Sequence, residues 1–217
     1  MIGRSFDHIV SLGAHCETAH HIRRLTGSNK AHVFDWFVTP TLSLVEILEC
    51  DFAEMFLPEN MRVIFDGKGV LCNRYGTIHF HDFQDGHPDG TYVQELVAAG
   101  CRSNRDKFAY LANRFRSMRG RVLFIRADDG FVSGGDRNGD FTDELFSRFV
   151  AAIERILPNV DYNLLLLRSQ YRGEHPRLHL DVAEKYGETR WEGSDRGWDE
   201  LFLRQGIHFV KAEEPTV

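Results

Sequence analysis

The chain opens with a short apolar run at Ile9 and Val10, a turn at Ser11-Leu12-Gly13, and then Ala19, Ile22 and Leu25 at helical spacing. That pattern predicts a buried strand, a turn and a helix over 17–25. An aromatic-rich stretch from Ala31 to Pro40 follows, interrupted by the single carboxylate of Asp35. Thr39 then reads as a helix cap with Pro40 in the first position, and Leu42, Val45, Ile47 and Leu48 supply the apolar side. Between 51 and 102 the character changes to short β-like runs at 63–65, 70–72 and 77–83 with glycines between them, an irregular β-hairpin region around 60–90.

From Ser103 the pattern becomes regular. Ser103 reads as an N-cap with Asp106 three residues on, and Phe108, Leu111, Ala112, Phe115 and Met118 trace one helical face. A strand over 121–126 follows. Thr142 caps a second helix whose core face is Leu145, Phe146, Phe149, Ile153 and Ile156, and another strand follows at 163–168. Strand, helix and strand with near-continuous apolar strands imply a parallel sheet covered on both faces. Arg190-Trp191, a helix near 198–204 and a strand at 207–210 would complete a three-layer α/β sandwich, read as a single domain over 1–217.

Composition narrows the partners. With 217 residues and 42% hydrophobic content the chain can bury one substantial core. Its net charge is −6 and its basic residues are scattered, which argues against a nucleic-acid surface and a polybasic membrane anchor. No apolar run approaches the roughly 20 residues of a membrane span, and the N-terminus lacks a signal-peptide core. A soluble cytoplasmic protein is expected, acting on a small molecule, a glycan or a peptide. The pattern says nothing of oligomeric state. Cysteines at 16, 50, 72 and 101 form no C-x-x-C pair, against a disulfide framework or a zinc knuckle. Cys50 ends a helix, Cys72 lies in a strand-like segment and Cys101 follows Gly100 in a loop; packing explains these three.

Cys16 has a different setting. In the first turn of a helix, unpaired N–H groups and the positive end of the dipole lie near its sulfur and favour thiolate, with His15, His20 and His21 close in sequence. Backbone N–H groups from Gly13 to Cys16 could form an oxyanion hole. The second constellation is Thr77-Ile-His-Phe-His-Asp-Phe83, whose alternation puts His79 and His81 on one side of a strand and Asp82 on the other. A cysteine nucleophile needs a proton acceptor, and His81, nearer the strand's end, is the preferred base, with His79 the alternative. Asp35 could orient that base, or could cap a turn near the first helix.

Three other features compete for a role. An H-x-H pair can hold a metal, with His87, His15 or Cys16 completing the shell, but the sequence departs from H-x-H-x-D-H, and no metal and no cofactor is expected. Arg126 and Arg168 end two strands where an open sheet binds ligands; both could anchor an anionic group or form salt bridges with Asp128, Asp129 or Asp136. The Gly-rich loop 128–140 matches no phosphate-binding fingerprint and carries four acidic residues.

Ser11-Leu-Gly-Ala-His-Cys16, the helix through Arg23-Arg-Leu25, Phe34-Asp-Trp36 and His81-Asp82 together resemble a bacterial family of unknown function described as papain-like cysteine peptidases. The resemblance covers the first half well and the strand 122–126 more loosely. It implies Cys16 as nucleophile and His81 as its partner, and Asp35 matches the family's Phe-Asp-Trp motif. Papain-like folds place the histidine on an antiparallel sheet, whereas the second half of this chain reads as a doubly wound one. Three functions follow: acyl transfer by Cys16 and His81, transfer from a sugar or nucleotide donor held by Arg126 and Arg168, or a non-catalytic binding module.

Overall fold

Side chains of the central strands alternate between two apolar layers, and that alternation dictates the architecture. The computed structural model describes residues 1–83, 90–127 and 139–210. In chain order the elements are β1 (Arg4–Phe6), β2 (His8–Ser11), α1 (Cys16–Thr26), β3 (Phe37–Val38), α2 (Thr41–Glu49), β4 (Met61–Ile64), β5 (Gly69–Cys72) and β6 (Ile78–His79). They continue with α3 (Gln94–Arg116), β7 (Gly120–Ala127), α4 (Asp143–Ile156), β8 (Val160–Leu167), β9 (Leu178–Asp181), α5 (Asp195–Gln205) and β10 (Ile207–Phe209).

The main sheet has the order β2-β7-β8-β9 and is parallel throughout, with Val10 opposite Phe124 and Phe124 opposite Leu164. Val10, Val122, Phe124, Tyr162, Leu164 and Leu166 face one core, where α2, α3 and α4 contribute Leu44, Phe115 and Phe149. Ile9, Leu123, Ile125, Leu165 and Leu167 face the other, against Ile22 of α1 and Trp198 and Leu201 of α5. Helices on both faces give the α/β/α layering predicted from the apolar runs. The hairpin region is a separate antiparallel sheet, order β3-β6-β5-β4.

Several local expectations differ from the structure. Thr39 does not cap α2: Pro40 is the N-cap residue and Thr39 is held in an antiparallel bridge, its N–H donating to the Ala14 carbonyl at 3.2 Å. The helix assigned from Ser103 begins nine residues earlier at Gln94, so Ser103 is no cap and Cys101 lies in the helix, fully buried, its thiol donating to the Val97 carbonyl. Gly100 reads as a break but serves packing: a Cβ there would lie 3.2 Å from the Phe83 ring. The last strand pairs with β1 rather than joining the main sheet, and Trp191 stands 58% exposed outside any strand. Thr142 caps α4 as predicted, accepting from the Leu145 N–H.

The turn between β2 and α1 depends on Gly13. Its φ is +76°, and a Cβ would meet Thr39 Cβ and Oγ1 at 3.0 Å, so an L side chain meets both backbone strain and a steric wall. Gly13→Ala is expected to destabilise the protein by about 1–3 kcal/mol, read as a lower urea midpoint at unchanged m-value; a midpoint equal to wild type would show that the bridge to Thr39 yields freely.

Candidate active site

Cys16 begins α1 directly after His15, whose extended backbone (φ −136°, ψ 168°) makes it the N-cap. His15 is half-buried and makes no side-chain cap bond, so the N–H groups of the first turn are not taken up by a cap. The Gly13 N–H is already committed, donating to Ser11 Oγ at 3.2 Å. The oxyanion donors expected from Gly13 to Cys16 therefore narrow to the helix start itself.

The expectation of a thiolate is overturned. Burial pushes the Cys16 thiol up to about 11, the negative charges of Asp82 and Asp35 add to the rise, and the residue's own backbone N–H opposes it without prevailing. In its resting state Cys16 is a thiol.

Backbone register explains how three distant segments meet. Ala14 bridges Thr39, and two residues back along the same strand Phe37 lies opposite His79. The strand ends at His79, so the predicted alternation through His81 and Asp82 fails. The chain bends after His79 and Asp82 turns back: its carboxylate binds His79 Nδ1 at 2.8 Å, while Nε2 contacts Thr77 Oγ1 at 2.9 Å. His79 is completely buried, with Phe37 and Phe56 against its ring. Burial alone would raise the Asp82 carboxyl, but the hydrogen bond and charge of His79, joined by Lys107, outweigh it and hold Asp82 below the ordinary carboxylate value.

His81 is the accessible imidazole of the pair. It is exposed, packs edge-on to Trp36 with ring centroids 6.2 Å apart, and lines a cavity of about 280 Å³ with Asp82, Tyr92, Ser103, Asn104 and Lys107. A second cavity of about 170 Å³ lies behind Trp36, walled by Phe37, Phe56, Phe108 and Leu111; Asp82, Asn104 and Lys107 border both.

Asp35 is 2% exposed and takes up the structural alternative foreseen for it. Its Oδ2 accepts from Arg23 Nη2 and from the His32 N–H, each at 2.9 Å, and no bond to His81 is found among the described residues. Burial raises its carboxyl, against the pull of those two donors and of the Arg114 charge. Arg23 also lies over the Trp36 ring at 4.8 Å, which links Asp35 to the wall that His81 packs on.

Arg126 and Arg168 are both engaged within the fold, the structural one of the two roles open to them. Arg126 is 2% exposed; Nη1 donates to the Leu12 carbonyl and Nη2 to the Thr39 carbonyl and Thr41 Oγ1, at 2.9–3.0 Å. Arg168 pairs with Glu17, while Asp128, Asp129 and Asp136, like His87, lie outside the described residues. Residues that the sequence reading missed are Glu17, Lys107, Arg23 and Thr77. The two-residue spacing of Thr77 from His79 was a visible signal for one of these contacts; Glu17 with Arg168 and Lys107 with Asp82 join segments far apart in sequence.

A metal at His79 would have to displace Asp82 and Thr77 from its ring nitrogens. Among the described residues the ligand atoms of His20, His21 and Asp195 come within 4.8 Å of one another. There, however, His21 Nε2 bonds the Glu192 carbonyl and Nδ1 accepts from Arg24 Nε, so a cation would meet the Arg24 guanidinium. No described helix is long and apolar enough to cross a membrane.

Residues 7–170 match a family described as putative papain-like cysteine peptidase. The match spans the Cys16 turn, Asp35, both histidines and Arg168. No curated protein and no solved structure matches the chain.

Proposed function

The chain belongs to the family described as putative papain-like cysteine peptidases, and from that premise we propose that it is an acyl-transfer enzyme with Cys16 as nucleophile and His81 as general base and then acid. The observation that supports this most is the family match, which spans Cys16, Asp35 and His81 together. The substrate is a peptide or isopeptide bond, lying along the cavity that His81 lines. Its setting is the cytoplasm, in keeping with four free cysteines.

Because the thiol is protonated at rest, attack requires a proton acceptor at the moment of reaction. Cys16 Sγ bonds to the carbonyl carbon as its proton passes to His81, and the carbonyl oxygen takes the electron pair near the first-turn N–H groups. The carbon–nitrogen bond then breaks, His81 returns the proton to the leaving amine, and a thioester remains on Cys16. Water or another acceptor releases the acyl group and restores the thiol. Asp35 acts by fixing Arg23 and Trp36 behind His81.

This sequence of steps predicts two different pH curves for one sulfur. Iodoacetamide labelling, which follows the free thiolate, should climb through the ordinary thiol range toward a midpoint near about 11. Acylation by an activated ester, followed as the mass increment on the Cys16 peptide, should level off at lower pH because His81 supplies the base. Superimposable curves would mean that no base assists Cys16, and the mechanism would fall.

A further inference from the structure

Immediately after Cys16 stands a carboxylate that the reaction does not use, and it is among the most enclosed charges in the molecule. Glu17 is 4% exposed. Arg168 forks onto it, Nη1 to Oε1 at 3.4 Å and Nη2 to Oε2 at 3.2 Å, and Trp198 Nε1 donates to Oε1 at 3.0 Å. Gly193 closes over the group: with φ +70°, a Cβ there would lie 2.8 Å from Oε1.

These partners come from the carboxyl end of β8, from the loop before α5 and from α5 itself. Arg168 shows a local cost accepted for the contact. Arg168 adopts φ +60°, a conformation that L residues rarely take, and its backbone N–H is pinned to the Asp181 carbonyl at 3.0 Å. Its Nε is buried without a partner among the described residues, so the fork serves Glu17 alone. Trp198 is fully buried and stacks on His21, one turn of α1 further on, at 4.8 Å. A buried ion pair is seldom the cheapest way to stabilise a fold, and its strength is geometric specificity.

We propose that Glu17 is the positioning residue of the Cys16 site: held by Arg168 and Trp198, it locks the first turn of α1 and so fixes the direction and burial of the adjacent thiol. This rests on the Cys16 and His81 reading above, and it extends the site beyond the family match, since Gly193 and Trp198 lie outside residues 7–170. Glu17 touches no reacting atom in this scheme. It acts through Cys16.

The test measures iodoacetamide labelling of the Cys16 peptide across pH from about 6 to about 11 in wild type, Glu17→Gln, Arg168→Lys and His81→Ala, and in the Glu17→Gln/His81→Ala pair, together with acylation by the activated ester. Glu17→Gln keeps an acceptor for Trp198 and loses the ion pair; Arg168→Lys keeps the charge and loses the fork. Burial is the largest cause of the raised Cys16 midpoint, so a loosened turn that admits water should move the labelling midpoint downward in both variants. Acylation should fall at least about tenfold in Glu17→Gln, and adding His81→Ala should cost little more, because the base no longer meets a fixed thiol. A purely structural contact would leave the midpoint in place and the two losses additive. Midpoint and acylation rate equal to wild type in both folded variants overturn the proposal. If Glu17→Gln does not fold, Arg168→Lys carries the same readouts. Acylation unaffected by His81→Ala alone overturns the Cys16 and His81 mechanism, while the labelling midpoint still judges Glu17.

Discussion

His81→Ala is expected to lower acyl transfer by about two to four orders of magnitude while leaving the urea midpoint close to wild type. His79→Ala should do the reverse. The His81 ring is exposed at a cavity wall and touches Trp36 by its edge, so its removal leaves no buried charge without a partner. His79 is fully buried, with one ring nitrogen on Asp82 and the other on Thr77. Its loss leaves the Asp82 carboxylate with Lys107 as its remaining ion-pair partner among the described residues, at 3.3 Å. Removing one member of a buried pair costs about 3–5 kcal/mol, enough to unfold much of a marginally stable domain. Turnover of the ester and urea denaturation, measured on both variants, separate the roles. A folded His79→Ala protein without activity beside an active His81→Ala protein would make His79 the base.

The fold was legible wherever a segment is buried on both faces. Val122 to Ile125 and Leu164 to Leu167 are continuous apolar runs because each successive side chain enters one of two cores, and no surface position interrupts them. The start of α3 was hidden by Gly100, which local chemistry reads as a break. The glycine is there because Phe83, from a different segment, occupies the space of its side chain. β1 could not be read at all: Arg4 pairs with Ile207, and nothing within a few residues of either announces the other.

The candidate site divides along the same line. Cys16 was legible because strand, turn and helix start are local signals, and Gly13 marks the turn. Its protonation was misread because the helix end is local while the burial and the charges of Asp82 and Asp35 arrive from other segments. His79 and His81 lay on one side of the predicted strand, separated only by the preference for His81 nearer its end. They became distinct through the end of β6, which lets Asp82 fold back onto one of them. For Arg126 and Arg168, the end of a strand left a ligand or a salt bridge open; each meets a part of the fold more than 80 positions away in sequence, which no local pattern announces.

Arg126 yields an expected change in stability as large as that of His79. Its guanidinium joins the turn before Cys16, through the Leu12 carbonyl, to the start of α2, through the Thr39 carbonyl and Thr41 Oγ1. Arg126→Met keeps most of the apolar volume and removes those donors. A buried acceptor left without its donor costs about 1–3 kcal/mol, so the loss of several at once should reach about 3–5 kcal/mol, seen as a lower urea midpoint with little change in m-value. Lysine should recover only a small part, because a single ammonium cannot span acceptors on both sides as the planar fork does. The effect should also be directional. Thr39 is bridged to Ala14, two residues before Cys16, so under conditions where Arg126→Lys remains folded its acylation rate should fall while α4 and β8 keep their amide-exchange protection. A variant of wild-type stability, or one that loses protection evenly across the whole sheet, would show that Arg126 does not hold the Cys16 turn against β3.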